Sequence, residues 1–100
     1  MKRLSRTELE LLGTLGARRL SGRELARLYE KETLRSISYG TLYTTMGRLR
    51  DQGWVEQQDS ENEDGRLRYF VITGAGIAAL NQETRQLDAL LVLLKKEEFA

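Results

Sequence analysis

At Gly53 the spacing of apolar residues changes from helical to strand-like, and that change restricts the fold more than any other feature of the chain. Upstream lie three segments with helical apolar spacing, each opened by a capping residue. Ser5-Arg6-Thr7-Glu8 has the form of a capping box, in which the Ser and Glu side chains each satisfy the other's backbone N–H; Leu9, Leu12 and Leu15 follow before Gly16. Ser21-Gly22-Arg23-Glu24 repeats the box. Leu25, Leu28 and Tyr29 then make an apolar stripe, with Arg23, Arg27 and Lys31 on the polar side, to about Thr33. After the linker Leu34-Arg35-Ser36-Ile37, Ser38 is the expected N-cap of a third helix that bears Leu42, Met46 and Leu49 and stops at Gly53.

Downstream, residues 54–58 and 67–72 are rich in β-branched and aromatic side chains and read as two strands. The polar stretch 59–66 between them reads as a loop, in which Asp64-Gly65 supplies the positive φ that a hairpin turn needs. Thr73 is the expected N-cap of a last helix running nearly to the end. Its positions Ile77, Leu80, Leu87, Leu91 and Leu94, with Thr84 in the remaining slot, alternate steps of three and four as a heptad seam does, and Leu90, Val92 and Leu93 widen the stripe. Three helices, a hairpin and a long helix predict a mainly α chain with a small β-hairpin (α+β): a winged helix-turn-helix over residues 1–73 and a C-terminal dimerisation helix over 74–100.

One hundred residues make one domain of modest size. The absence of Cys and His excludes disulfides, zinc fingers, Cys nucleophiles and serine-histidine triads; no motif pairs the scattered carboxylates, so the chain is not expected to be an enzyme or to hold a metal or cofactor. It has no apolar run of about 18 residues, and Met1-Lys2-Arg3-Leu4-Ser5-Arg6 leads into no secretory signal, which predicts a cytoplasmic protein with no membrane partner. The net charge of +1 conceals an asymmetry. Residues 1–50 hold 11 Lys/Arg against 5 Asp/Glu and residues 51–100 hold 5 against 10, so the helical half offers a basic surface to an anionic partner.

The run Ser38-Tyr39-Gly40-Thr41-Leu42-Tyr43, then Leu49, Gly53-Trp54-Val55 and residues 65–76 (GRLRYFVITGAG) resembles the PadR-type transcriptional regulators. The resemblance covers about residues 7–80 and implies a homodimeric repressor that binds double-stranded DNA. It also leaves room for a small-molecule effector between dimerisation helices, to which no residue is assigned. Three features depart from the family pattern: Arg23 where an aromatic is common, an acidic wing tip, and a single C-terminal helix.

A recognition helix enters the major groove by its N-terminal half, where the dipole and free N–H groups favour phosphate. Ser38, Tyr39, Thr41, Thr44 and Thr45 are therefore the expected groove-facing residues, with Tyr43 packed at the helix shoulder and its hydroxyl toward a phosphate. Arg48 and Arg50, with Arg35 and the second helix's arginines, are expected at flanking phosphates, and Arg66 and Arg68 at the wing. Asp59, Glu61, Glu63 and Asp64 oppose the wing's approach to DNA. Trp54, Phe70 and Ile72 read as core. A monomer would expose the seam Ile77, Leu80, Thr84, Leu87, Leu91 and Leu94, which predicts a homodimer. The competing reading is a winged-helix module that binds protein through its acidic surface.

Overall fold

The computed structural model describes residues 3–62 and 65–99. Helix α1, Arg6–Leu15, starts at the predicted capping box: Ser5 N–H donates to the Glu8 carboxylate at 2.8 Å and Glu8 N–H to the Ser5 hydroxyl at 3.2 Å. Glu8 is thereby buried without an unsatisfied oxygen. Gly16 ends the helix at φ 54°, a backbone turn that a Cβ would oppose. Helix α2, Gly22–Thr33, repeats the box with Ser21 and Glu24. It ends at Leu34, which is exposed and left-handed at φ 60°.

Helix α3, Tyr39–Asp51, is capped by the Ser38 hydroxyl, which accepts from Thr41 N–H at 3.1 Å. At its far end Gly53 takes φ 79° and the chain reverses, with Trp54 N–H donating to the Leu49 carbonyl at 2.9 Å. The fold is the expected winged helix-turn-helix, mainly α with a small antiparallel sheet. That sheet has three strands in the order β1-β3-β2: Leu20–Ser21, Gly65–Ile72 and Val55–Asn62.

The first strand was not expected. Two residues show no periodicity, and Leu20 and Ser21 are strand only because Phe70 and Tyr69 of β3 lie beside them. The loop expected over 59–66 is largely strand as well, since pairing runs from Val55↔Ile72 to Asn62↔Gly65. Opposite charges directly across the ladder, Asp59 on Arg68 and Glu61 on Arg66, favour pairing in a segment of low β-propensity. Gly65 has the positive φ expected of it, +114°, whereas Glu63 and Asp64 lie outside the described residues.

Leu11, Leu12, Leu15, Leu25, Leu42, Met46 and Leu49 fill the space between the three helices, and Val55 and Phe70 close it from the sheet. Each such burial removes roughly 1.5–3 kcal/mol of apolar hydration. Trp54 and Ile72, expected in the core, lie partly buried at its edge. Helix α4, Gly74–Phe99, packs against α1 and sets Leu80 on the core. Thr73 caps it, its hydroxyl accepting from Gly76 N–H at 3.1 Å and donating to the Gly53 carbonyl at 2.6 Å.

Candidate nucleic-acid interface

The residues assigned to α3 from the sequence divide into two stripes around the helix. Ser38, Thr41, Thr44 and Arg48 lie together on the open face, lining a shallow hollow of about 430 Å³ with Gly40. The Ser38 hydroxyl donates to the Thr41 hydroxyl at 3.0 Å, so the first turn presents linked polar groups beside its own N–H ends. Arg48 is exposed and enters no ion pair among the described residues. Thr45, expected on this face, also lines the hollow but sits at its base at 5% exposure, one helical turn from the core residues Leu42 and Leu49.

Tyr39, Tyr43 and Arg50 form the second stripe. Tyr43 is half-buried between Tyr39, at 6.4 Å between ring centroids, and Phe70, at 6.2 Å. The Arg68 guanidinium lies 5.1 Å from the Tyr43 ring centre. Arg50 turns toward the sheet, where its Nη1 donates to Gln57 Oε1 at 2.8 Å and its Nε stands 3.6 Å from Asp51. Gln57 in turn donates to Asp59 at 2.8 Å, and Asp59 accepts from Arg66. A polar relay thus runs from the end of α3 across β2 to the wing, along the alternate residues of one strand face. The Gln57 hydrogen bond first, and the Arg66 guanidinium after it, holds the Asp59 carboxyl below the usual carboxylate range.

Between the wing root and the start of α2 is a basic hollow of about 440 Å³, lined by Arg23, Tyr43, Arg66 and Arg68 with Ser21 and Gly22. The α2 N-terminus adds the positive end of its dipole. Glu24 is the nearby acid of the cap, and its carboxyl is lowered first by the Ser21 backbone N–H. Arg35, expected at the phosphates, is occupied elsewhere: it pairs with Glu10 of α1, which also accepts from the Tyr29 hydroxyl at 3.2 Å. Arg19 was missed in the sequence. Its guanidinium stacks on Tyr69 at 3.8 Å and its Nε donates to Gln58 at 2.9 Å, a position set by the two-residue β1 that has no sequence signature.

Along α4 the seam residues part company. Leu80 packs on the core of its own domain and Thr84 donates to the Leu80 carbonyl at 2.9 Å, whereas Ile77, Leu87, Leu91 and Leu94 are exposed. Among the described residues no acidic cluster could hold a metal ion, and no helix is long and apolar enough to cross a membrane.

The same architecture is found in solved structures. A PadR-like transcription factor from Bacteroides fragilis superposes with a TM-score of 0.81 at 20% identity, covering 90% of this chain and 87% of that one. A PadR family transcription regulator from Clostridium difficile R20291 gives 0.77 at 17% identity, over 92% and 97%. Bacillus subtilis PadR, solved in complex with operator DNA, gives 0.70 at 21% identity, over 80% of this chain and 47% of that one. No curated protein matches in sequence. The sequence profile of the transcriptional regulator PadR-like family matches residues 11–82, which span α1, α2, α3, the sheet and the first turns of α4. The chain therefore belongs to the PadR-like family of transcriptional regulators, which are not enzymes.

Proposed function

We propose that the protein is a homodimeric repressor that binds double-stranded DNA in the cytoplasm. The observation that carries this reading is the open stripe that runs from Ser38, Thr41 and Thr44 at the entering end of α3 to Arg48 in its last turn, beside a hollow lined by Arg23, Arg66 and Arg68. Short hydroxyls suit mixed base-edge and phosphate contact in the major groove, and the arginines suit the flanking backbone. Tyr39 and Tyr43 stand at the shoulder of the helix, where a phenol reaches a phosphate.

Residues 1–73 act as the DNA-binding unit and 74–100 as the dimerisation helix, through the seam Ile77, Leu80, Thr84, Leu87, Leu91 and Leu94. Two-fold symmetry would set two copies of α3 on half-sites about one turn of DNA apart, or roughly 34 Å. Binding a pseudo-palindrome across a promoter then excludes transcription. Selection from a randomised duplex pool tests this. The expected winner is a two-fold sequence whose footprint shows two half-sites, and a pool with no enriched sequence would sink the reading. The Bacillus subtilis PadR complex with operator DNA supports the same assignment by its shared fold.

A further inference from the structure

The hollow between the wing root and the start of α2 gathers more positive charge than its neighbours balance. Arg23 belongs to the first turn of α2, and Arg66 and Arg68 share one face of β3. Of the two acids nearby, Asp59 accepts from Arg66 and from the Gln57 amide, and Glu24 accepts from the Ser21 N–H within the cap. Arg23 and Arg68 therefore have no hydrogen-bond or ion-pair partner among the described residues; Arg68 meets only the Tyr43 ring. The Tyr43 hydroxyl stands beside Gly22 on the same wall. It too lacks a hydrogen-bond partner among the described residues, although the side chain is half-buried.

Donors without acceptors, gathered around about 440 Å³ of concave space, select an anion. A backbone phosphate of DNA brings one negative charge, and a duplex reaches the mouth of so small a hollow with one such group at a time. Balancing both free guanidiniums takes two or more charges on one compact group. A pyrophosphate group meets that requirement, because its several oxygens can receive two planar guanidinium forks and a phenol together.

We propose that this hollow is the seat of a small ligand bearing a pyrophosphate group, free or carried by a nucleotide, and that the ligand regulates DNA binding by competing for Arg23 and Arg68. The inference rests on the DNA-binding reading, in which the same arginines face the flanking backbone. Ligand and backbone phosphate then exclude one another. Occupancy loosens the protein from every duplex alike, since the base-edge contacts of Ser38, Thr41 and Thr44 lie outside the hollow. Arg66 joins the ligand only by leaving Asp59, which ties the site to the wing.

Calorimetric titration of the full-length protein with inorganic pyrophosphate and with ADP tests the site, in metal-free buffer held at about 0.1 M ionic strength so that screening is constant. One saturable site per chain is expected, with a Kd of about 0.1 mM or below. Arg23→Ala and Arg68→Ala should each weaken it about tenfold, the loss of one charge-assisted contact, whereas Arg85→Ala removes the same charge from α4 and should not. All three residues are exposed, so the variants leave the core intact. Anisotropy of a labelled random duplex reads the competition: ligand at about ten times its Kd should raise the apparent Kd for DNA about tenfold. Tighter binding of ADP than of pyrophosphate assigns the hollow to a nucleotide, and the reverse assigns it to the inorganic ion. No saturable binding of either up to about 1 mM, or an equal loss in Arg85→Ala, overturns the ligand site and leaves the DNA reading intact. Saturable binding that displaces no duplex overturns the regulation, and a wild type that binds no duplex at all overturns the DNA reading on which it rests.

Discussion

The Tyr43 hydroxyl occupies the space that a side chain on Gly22 would need: a Cβ built there falls 2.2 Å from the hydroxyl oxygen and 2.7 Å from Cζ. Tyr43 has little freedom to yield, since Phe70 and Arg68 bound its ring from the sheet side. Gly22 is thus a condition for placing the Tyr43 hydroxyl at the mouth of the basic hollow. Gly22→Ala should weaken binding to the selected duplex about tenfold, which is near 1.4 kcal/mol. Fluorescence anisotropy measures it; unchanged affinity would show that Tyr43 does not touch DNA.

Arg48 and Arg50 should behave differently despite lying two residues apart. Arg48→Ala is expected to weaken binding to all sequences alike and to lower the salt slope by about one, the effect of losing one phosphate contact. Arg50 is committed to Gln57 and Asp51, so Arg50→Ala should leave the slope nearly unchanged. Equal slopes for both variants would place Arg50 on the DNA.

Asp59 should restrain the wing, because it holds Arg66 in an intramolecular ion pair that a phosphate must replace. Asp59→Asn is expected to tighten non-specific binding, more so at low salt, where the Debye length at 0.01 M reaches about 30 Å against about 10 Å at 0.1 M. Titration of random duplex DNA at several salt concentrations decides it. If affinity is the same at every concentration, the wing stands away from DNA, and Arg66 loses its assigned contact.

Gly76 should tolerate no side chain. A Cβ there would lie 2.0 Å from the Trp54 carbonyl oxygen, a backbone atom that cannot rotate aside, so Gly76→Ala must push α4 off the sheet. Overpacking of this kind costs about 1–3 kcal/mol, or very roughly 5–15 °C in Tm for a chain of this size. Two residues away Gly74 has nothing within 4 Å, and Gly74→Ala should leave Tm level or raise it slightly. Calorimetry of the pair provides the check, and equal Tm values would refute the close packing.

Glu24 should contribute to the acid limb of stability. The Ser21 N–H favours its ionised form, so its folded pKa lies below the ordinary 4.5 and the folded state binds fewer protons than the unfolded one just beneath that pH. The stabilisation is complete above pH 4.5 and is lost as pH falls through the lower folded value. In Glu24→Gln, which keeps a capping side chain but not the charge, Tm should fall less steeply from about pH 4.5 downward. Parallel Tm profiles for the two proteins would remove the effect.

Ser5 with Glu8, Ser21 with Glu24, and Ser38 announce their helices in the sequence because a cap joins groups three residues apart and is complete within one turn. Most of the apolar residues that follow each cap face the core for the same local reason, although in α1 Leu11 is buried in the core and the expected Leu9 is not, and the change of period at Gly53 shows the hairpin. The leucines of α4 were likewise legible as an apolar seam. Tertiary structure decided what depends on neighbours distant in sequence. Leu20 and Ser21 become a strand only beside Phe70 and Tyr69, and residues 59–62 are ladder and not loop because 65–68 lie opposite. Arg35 is drawn to Glu10 and Arg50 to Gln57, contacts that no residue spacing encodes. Likewise, Gly22 and Gly76 read in sequence as ordinary helix-start glycines, and their need to be glycine comes from Tyr43 and Trp54 arriving from other elements. Helical order is a property of successive residues, whereas strand pairing, ion-pair choice and close approach are settled only when separate segments compete for the same space.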